Sequence, residues 1–154
     1  MRYGFYTDLD ELREEYDCSD FGFLENEIQY KRLTPHDFLH GYCFEFARYL
    51  NLLYHYPIEC IYAEDDSLIH AYCVIEKNNK SLFIDIRGCT DDWDEFIDDF
   101  ADFMTYYDEP NYYIEKPKNI PPLCKEDNVY LKDVFAAAKC FHDENNDFYD
   151  EKYW

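Results

Sequence analysis

The feature that most constrains this chain is a hairpin that can be registered by hand. Leu68 to Glu76 and Ser81 to Arg87 are two β-rich runs, and Asn78-Asn79 lies between them. Asn tolerates the positive φ that a two-residue hairpin turn requires. Centring the turn there sets Ile75 opposite Leu82, Cys73 opposite Ile84 and Ala71 opposite Ile86. One face of the hairpin is then wholly apolar. A slip of one residue would turn every side chain to the other face, so the pattern fixes the register. The second face carries His70, Tyr72, Val74, Phe83, Asp85 and Arg87. His70 and Asp85 are diagonal neighbours on it, about 7–8 Å apart at Cβ and within reach of a hydrogen bond.

The segment before the hairpin has helical period. Cys43, Phe46, Ala47, Leu50, Leu53 and Tyr54 recur on one face from Cys43 to Tyr54. Gly41 precedes that helix and Pro57 follows it. Residues 57–63 read as a strand. After Gly88 an acidic helix is expected from Thr90 to Met104, with Trp93, Phe96, Ile97, Phe100 and Met104 as its stripe. A short strand fits Tyr112 to Glu115, and a last helix runs from about Asn128 to Phe141. The tail, residues 142–154, is read as loose. Upstream, a helix capped by Thr7 and another from Phe21 to Leu33 are expected. The reading is one α+β domain over residues 1–154, with a core near 34–106.

Charge and composition exclude several classes. The chain has 154 residues, with 35 acidic and 14 basic ones and a formal net charge of −21. Such a chain does not neutralise phosphates, so direct nucleic-acid binding is excluded, and anionic lipid is disfavoured. With 21 % aromatic residues it is no disordered acidic tail. No apolar run is long enough to span a membrane, and Asp8 and Asp10 interrupt any signal segment. A cytoplasmic location is expected. The seven cysteines are odd in number and irregularly spaced, which argues against a disulfide framework. Most should be small buried hydrophobes.

One cysteine stands apart. Cys43 begins its helix, where free N–H groups and the helix dipole favour a thiolate and suit an oxyanion. A cysteine nucleophile needs a base, and the base needs a partner to fix its tautomer. Cys43, His70 and Asp85 fill those roles in order. Tyr42, Gln29, His40 and Tyr72 are candidates for substrate contact or oxyanion support. The bland alternatives are a core cysteine, a structural histidine, and an Asp85–Arg87 ion pair at a strand end. His36, His40 and Cys43 fall at helical spacing and would suit a metal, but Gly41 interrupts the helix and no fourth ligand is evident. No metal or other cofactor is called for.

The strings Gly41-Tyr42-Cys43-Phe44-Glu45-Phe46-Ala47, Ile69-His70-Ala71-Tyr72 and Leu82-Phe83-Ile84-Asp85-Ile86-Arg87-Gly88 resemble the papain-like cysteine amidase superfamily. The likeness is to its small transglutaminase-like and NlpC-type members, including bacterial and phage proteins, and covers about Leu39 to Phe100. It implies a papain-like core, with N-terminal helices and the Cys-bearing helix packed on a small antiparallel sheet, and Cys-His-Asp chemistry on protein or peptide amides: hydrolysis, deamidation or acyl transfer. The alternative is a very acidic, non-catalytic binding protein that occupies a basic partner. Immunity proteins and phage-encoded inhibitors of bacterial defence work in that way.

Overall fold

The computed structural model of the chain describes residues 4–6, 34–117 and 129–154. The two helices expected upstream of Thr34, and Gln29 with them, lie outside those residues. Within them the fold is α+β. Five strands form one antiparallel sheet: β1 (Ile58–Ala63), β2 (Leu68–Lys77), β3 (Lys80–Asp85), β4 (Gly88–Thr90) and β7 (Tyr112–Glu115), in the order β4-β3-β2-β1-β7. A separate hairpin is made by β5 (Thr105–Tyr106) and β6 (Glu109–Pro110).

Helix α1 (Pro35–His40) opens with Pro35 at its first position and a capping box, in which the Asp37 carboxylate accepts the Thr34 backbone N–H at 2.8 Å. Gly41 and Tyr42 break the chain, and α2 (Cys43–Tyr54) begins at the expected cysteine. It ends where His55 takes a left-handed conformation, φ 63°, just before Pro57. Cys43, Phe46, Ala47 and Leu50 are its buried stripe. They pack on the sheet face that carries Ala71 and Cys73, and Cys73 Sγ donates to the Ala47 carbonyl. The opposite face is covered by α3 (Trp93–Ile97), where Tyr72, Phe83, Trp93 and Phe96 form an aromatic layer. Helix α4 (Val129–Glu144) packs behind α2, with Phe141 edge-on to Phe38 at 5.7 Å.

The hairpin register is the expected one: Cys73 pairs with Ile84, Ile75 with Leu82, and Lys77 with Lys80. Asn78 and Asn79 both take positive φ, 53° and 63°. The second arm is shorter than expected. Strand β3 stops at Asp85, and the chain reverses through Ile86 and Arg87 so that Gly88 pairs with Asp85. The Asp85 carboxylate causes this reversal by accepting the Arg87 backbone N–H at 2.8 Å, as Asp does in tight turns. Gly88 sits at φ +114°, and a Cβ there would lie 2.0 Å from the Gly4 carbonyl oxygen. Residues 4–6 run beside it, with Cys89 N–H on Gly4 O and Tyr6 N–H on Arg87 O.

Two other expectations are corrected. The acidic helix starts only at Trp93, because β4 takes residues as far as Thr90, and it tightens into a 3-10 helix over Asp98–Met104. The tail is not loose: α5 (Asn146–Tyr149) buries Tyr149 completely, and Trp154 is 9 % exposed. Tyr149 is held there because its hydroxyl donates to Ile86 O while its carbonyl accepts from Tyr56. Cys43, Cys60, Cys73 and Cys89 are buried thiols, but Cys140 is disulfide-bonded. Among the described residues, no helix is long and apolar enough to cross a membrane.

Candidate active site

His70 lies near the start of β2, where a bulge shifts the register against β1 between Ile61 and Tyr62. Bulges of this kind re-aim neighbouring side chains. The ring is fully buried, stacked on Phe100 at 4.2 Å between centroids and tilted against Phe96 at 5.8 Å. Its Nε2 meets Asp85 Oδ2 at 2.9 Å, the contact the diagonal placement foretold. Its Nδ1 is buried and has no hydrogen-bond partner among the described residues. A buried, unsatisfied ring nitrogen costs about 1–3 kcal/mol, so it stands out in a native core.

Asp85 serves several partners at once. Its oxygens accept from the Arg87 backbone, from Arg87 Nε, and from an Arg87 terminal nitrogen at 2.7 Å, besides His70. Arg87 is only 1 % exposed. It reaches on to Asp99 at 3.0 Å and to the Phe96 carbonyl, and its guanidinium lies over the rings of Phe5, Phe96 and Phe100. Burial works to raise the Asp85 carboxyl. The Arg87 cation and the His70 bond outweigh it and hold the group well below the usual carboxylate range. Burial dominates at His70 and lowers its pKa, with Asp85 opposing in part. The dyad at neutral pH is therefore a carboxylate and a neutral imidazole. A neutral ring has one N–H, and the carboxylate fixes it on Nε2, which leaves the lone pair on Nδ1. That is the tautomer of a base.

Cys43 is not bonded to this dyad: it packs with α2 on the sheet face of Ala71 and Cys73, whereas the His70 ring lies against Tyr72, Phe96 and Phe100 on the other. Its sulfur accepts the backbone N–H of Ala71, the residue after His70, at 3.4 Å. The side chain is 7 % exposed. Burial pushes the thiol up to about 12, although the N–H groups of Ala71 and Phe44 favour the anion. The helix start thus supplies the expected N–H groups without making a resting thiolate. Thiol and imidazole are both neutral, and no ion pair joins them.

The remaining candidates separate. His40 closes α1, with its ring edge-on to the other side of Phe100 at 5.5 Å. It lines an open groove of about 650 Å³ with Ile69, Leu68, Asp99, Phe100 and Phe103. Burial lowers its pKa as well. Tyr42 stands between the helices, its carbonyl accepting the Phe46 N–H. Tyr72 is fully buried and its hydroxyl donates to Glu59 at 2.5 Å, so it packs beneath His70 instead of lining the groove. His36, His40 and Cys43 do not share a helix. Among the described residues no group of three or more His, Cys, Asp or Glu could hold a metal ion.

The Asp85–Arg87 ion pair weighed in the sequence as a bland alternative is present at 2.7 Å. Sequence reasoning missed Asp99 and Phe100 as supports of the dyad. Asp99 and Phe100 come from another element, and no local pattern links them to His70. Comparison with known proteins finds no matching family model, no similar curated protein and no similar solved structure.

Proposed function

We propose that this chain is a cysteine-dependent amidase with a papain-like core, acting on a protein or peptide amide. Cys43 is the nucleophile, His70 the base and Asp85 the group that orients it. The observation that carries the reading is the free lone pair on His70 Nδ1. It belongs to an imidazole already fixed by Asp85, next in sequence to the residue whose N–H holds the Cys43 sulfur.

The neutrality of both partners sets the mechanism. The mechanism requires the Cys43 thiol to meet Nδ1, directly or through one water, once substrate is bound; the proton then leaves the thiol for Nδ1 as the Sγ–carbon bond forms, so the base acts during attack and not before it. Collapse of the tetrahedral adduct breaks the carbon–nitrogen bond, and His70 returns the proton to the leaving amine or ammonia. Water, or an amine in a transfer reaction, then opens the thioester. The N–H groups at the start of α2 are the donors available to the developing oxyanion. The test is turnover of peptide amides and of glutamine-containing peptides by wild type and Cys43→Ala, with folding followed by circular dichroism. The reading requires loss of all turnover in a variant that stays folded.

Two observations favour a second reading. A thiol pushed up to about 12 is what a core cysteine shows, and a net charge of −21 suits a binder of basic proteins. That reading expects tight binding to a basic partner, unchanged in Cys43→Ala and weakened by salt.

A further inference from the structure

The groove beside the dyad combines an apolar lining with an acidic surround, and among the described residues that line it there is no Lys or Arg. Leu68 and Phe103 stand on its rim, 43 % and 64 % exposed, and Ile69 and Phe100 line it further. Past Phe103 the chain enters the β5–β6 hairpin, where Tyr106 and Tyr107 are 63 % and 85 % exposed. Tyr107 and Asp108 take φ 49° and 62° at its turn, a conformation that bulky residues seldom adopt. Large aromatic rings exposed to solvent are typical anchors of protein contacts.

The charge around them has one sign. The groove is lined from His40, residues 63–69 and residues 99–103, and the flanking chain from 49 to 76 and from 88 to 115 contains no Lys or Arg. Asp99 lines the groove, and Glu64, Asp65, Asp66, Asp102 and Asp108 are exposed nearby on the same stretches. Arg87 is buried between Asp85 and Asp99 and offers no positive charge to solvent. Lys77 and Lys80 sit at the far end of β2, roughly 30 Å from Leu68 at strand rise. A cationic ligand is attracted to such a face and an anionic one repelled.

We infer that this groove docks a cationic peptide segment bearing an aliphatic or aromatic anchor. Its Lys or Arg side chains meet the acidic surround, and its apolar side chain enters between Leu68 and Phe103. A groove of this volume takes a few side chains, not a folded domain. The substrate role of that segment rests on the amidase reading; its docking does not.

The experiment uses three labelled peptides and the full chain carrying Cys43→Ala, which binds without turning over. The probe is Lys-Lys-Leu-Phe-Gln-Lys-Lys. One control replaces Leu-Phe with Ser-Gly, and the other replaces every Lys with Glu. Fluorescence anisotropy should show the probe binding at least about tenfold tighter than either control, and weakening steeply with salt. Phe103→Ser should cost about tenfold. Equal binding of the Ser-Gly peptide or of the Glu peptide, or full affinity in Phe103→Ser, overturns the inference. Mass spectrometry of the probe with wild-type protein reads the chemistry separately. Docking without cleavage or deamidation upholds the groove and overturns the substrate role.

Discussion

Two buried histidines in this molecule each meet an aspartate, and they are finished differently. His142 on α4 bonds through Nδ1 to Asp143 at 2.8 Å and through Nε2 to the Tyr54 hydroxyl at 2.5 Å. Both ring nitrogens are satisfied, and the ring is packed by Tyr49, Tyr54 and Tyr149. His70 bonds through one nitrogen only, although it is the more deeply buried. A satisfied histidine ties elements together and has nothing left to accept. A half-satisfied one holds an unused lone pair in a low-dielectric site, where polar groups are costly and interactions strong. The pair teaches how to weigh a histidine: the ring atom without a partner carries the chemical information, not the neighbouring carboxylate.

The comparison breaks first at activity. His70→Gln keeps roughly the volume of the ring but loses the base, and turnover should fall about 10²–10⁴-fold. His142→Gln should leave turnover within about threefold. Comparable losses in both variants would show that His70 acts only through folding.

Next comes stability at the carboxylates. Asp85→Ala leaves the buried Arg87 guanidinium with Asp99 and the Phe96 carbonyl alone, and removal of one partner from such a buried pair costs about 3–5 kcal/mol. Asp143 is largely exposed, so Asp143→Ala should cost under about 1 kcal/mol. Urea unfolding followed by far-UV circular dichroism measures both.

A smaller difference concerns pH. The His70 pKa is lowered in the folded protein. Below the ordinary histidine value of 6.5 the unfolded chain binds a proton that the folded chain does not, so stability falls as pH falls through that window. His40 shifts in the same direction and adds to the slope. The Asp85 carboxyl is lowered too, so its contribution is present above the ordinary carboxylate range and is lost at still more acid pH. The urea midpoint should therefore drop between pH 7.5 and pH 5, and His70→Gln should flatten that drop. An unchanged slope in the variant would remove His70 from the account.

The smallest effect tests the satisfied side. Tyr54→Phe leaves His142 Nε2 without its partner and should cost about 1–3 kcal/mol with turnover intact. A loss of turnover there would place His142 in the chemistry.

The hairpin explains how much of this was legible in the sequence. A period of two and a turn of two Asn residues set the register of β2 against β3 without ambiguity. The His70–Asp85 contact followed from that register alone. Helix α2 was legible in the same way, from its period and its start at Cys43. What escaped was non-local. The early end of β3 depends on Asp85 folding back onto the Arg87 N–H and on Gly88 admitting the Gly4 carbonyl, a contact between distant parts of the chain. The burial of the tail depends on Tyr149 finding Ile86 and Tyr56 across the core. The protonation of Cys43 depends on how tightly α2 packs on the sheet, which a sequence period does not encode.

The most direct measurement labels Cys43 with the cationic anchor peptide carrying a vinyl sulfone, beside iodoacetamide as a plain alkylating agent. A neutral, buried thiol with a poised base predicts slow iodoacetamide reaction at pH 7 but selective vinyl sulfone labelling of Cys43, slowed at least about a hundredfold in His70→Gln. Vinyl sulfone labelling as slow as iodoacetamide reaction, spread over several cysteines, or unchanged in His70→Gln would contradict the amidase and leave Cys43 a core residue.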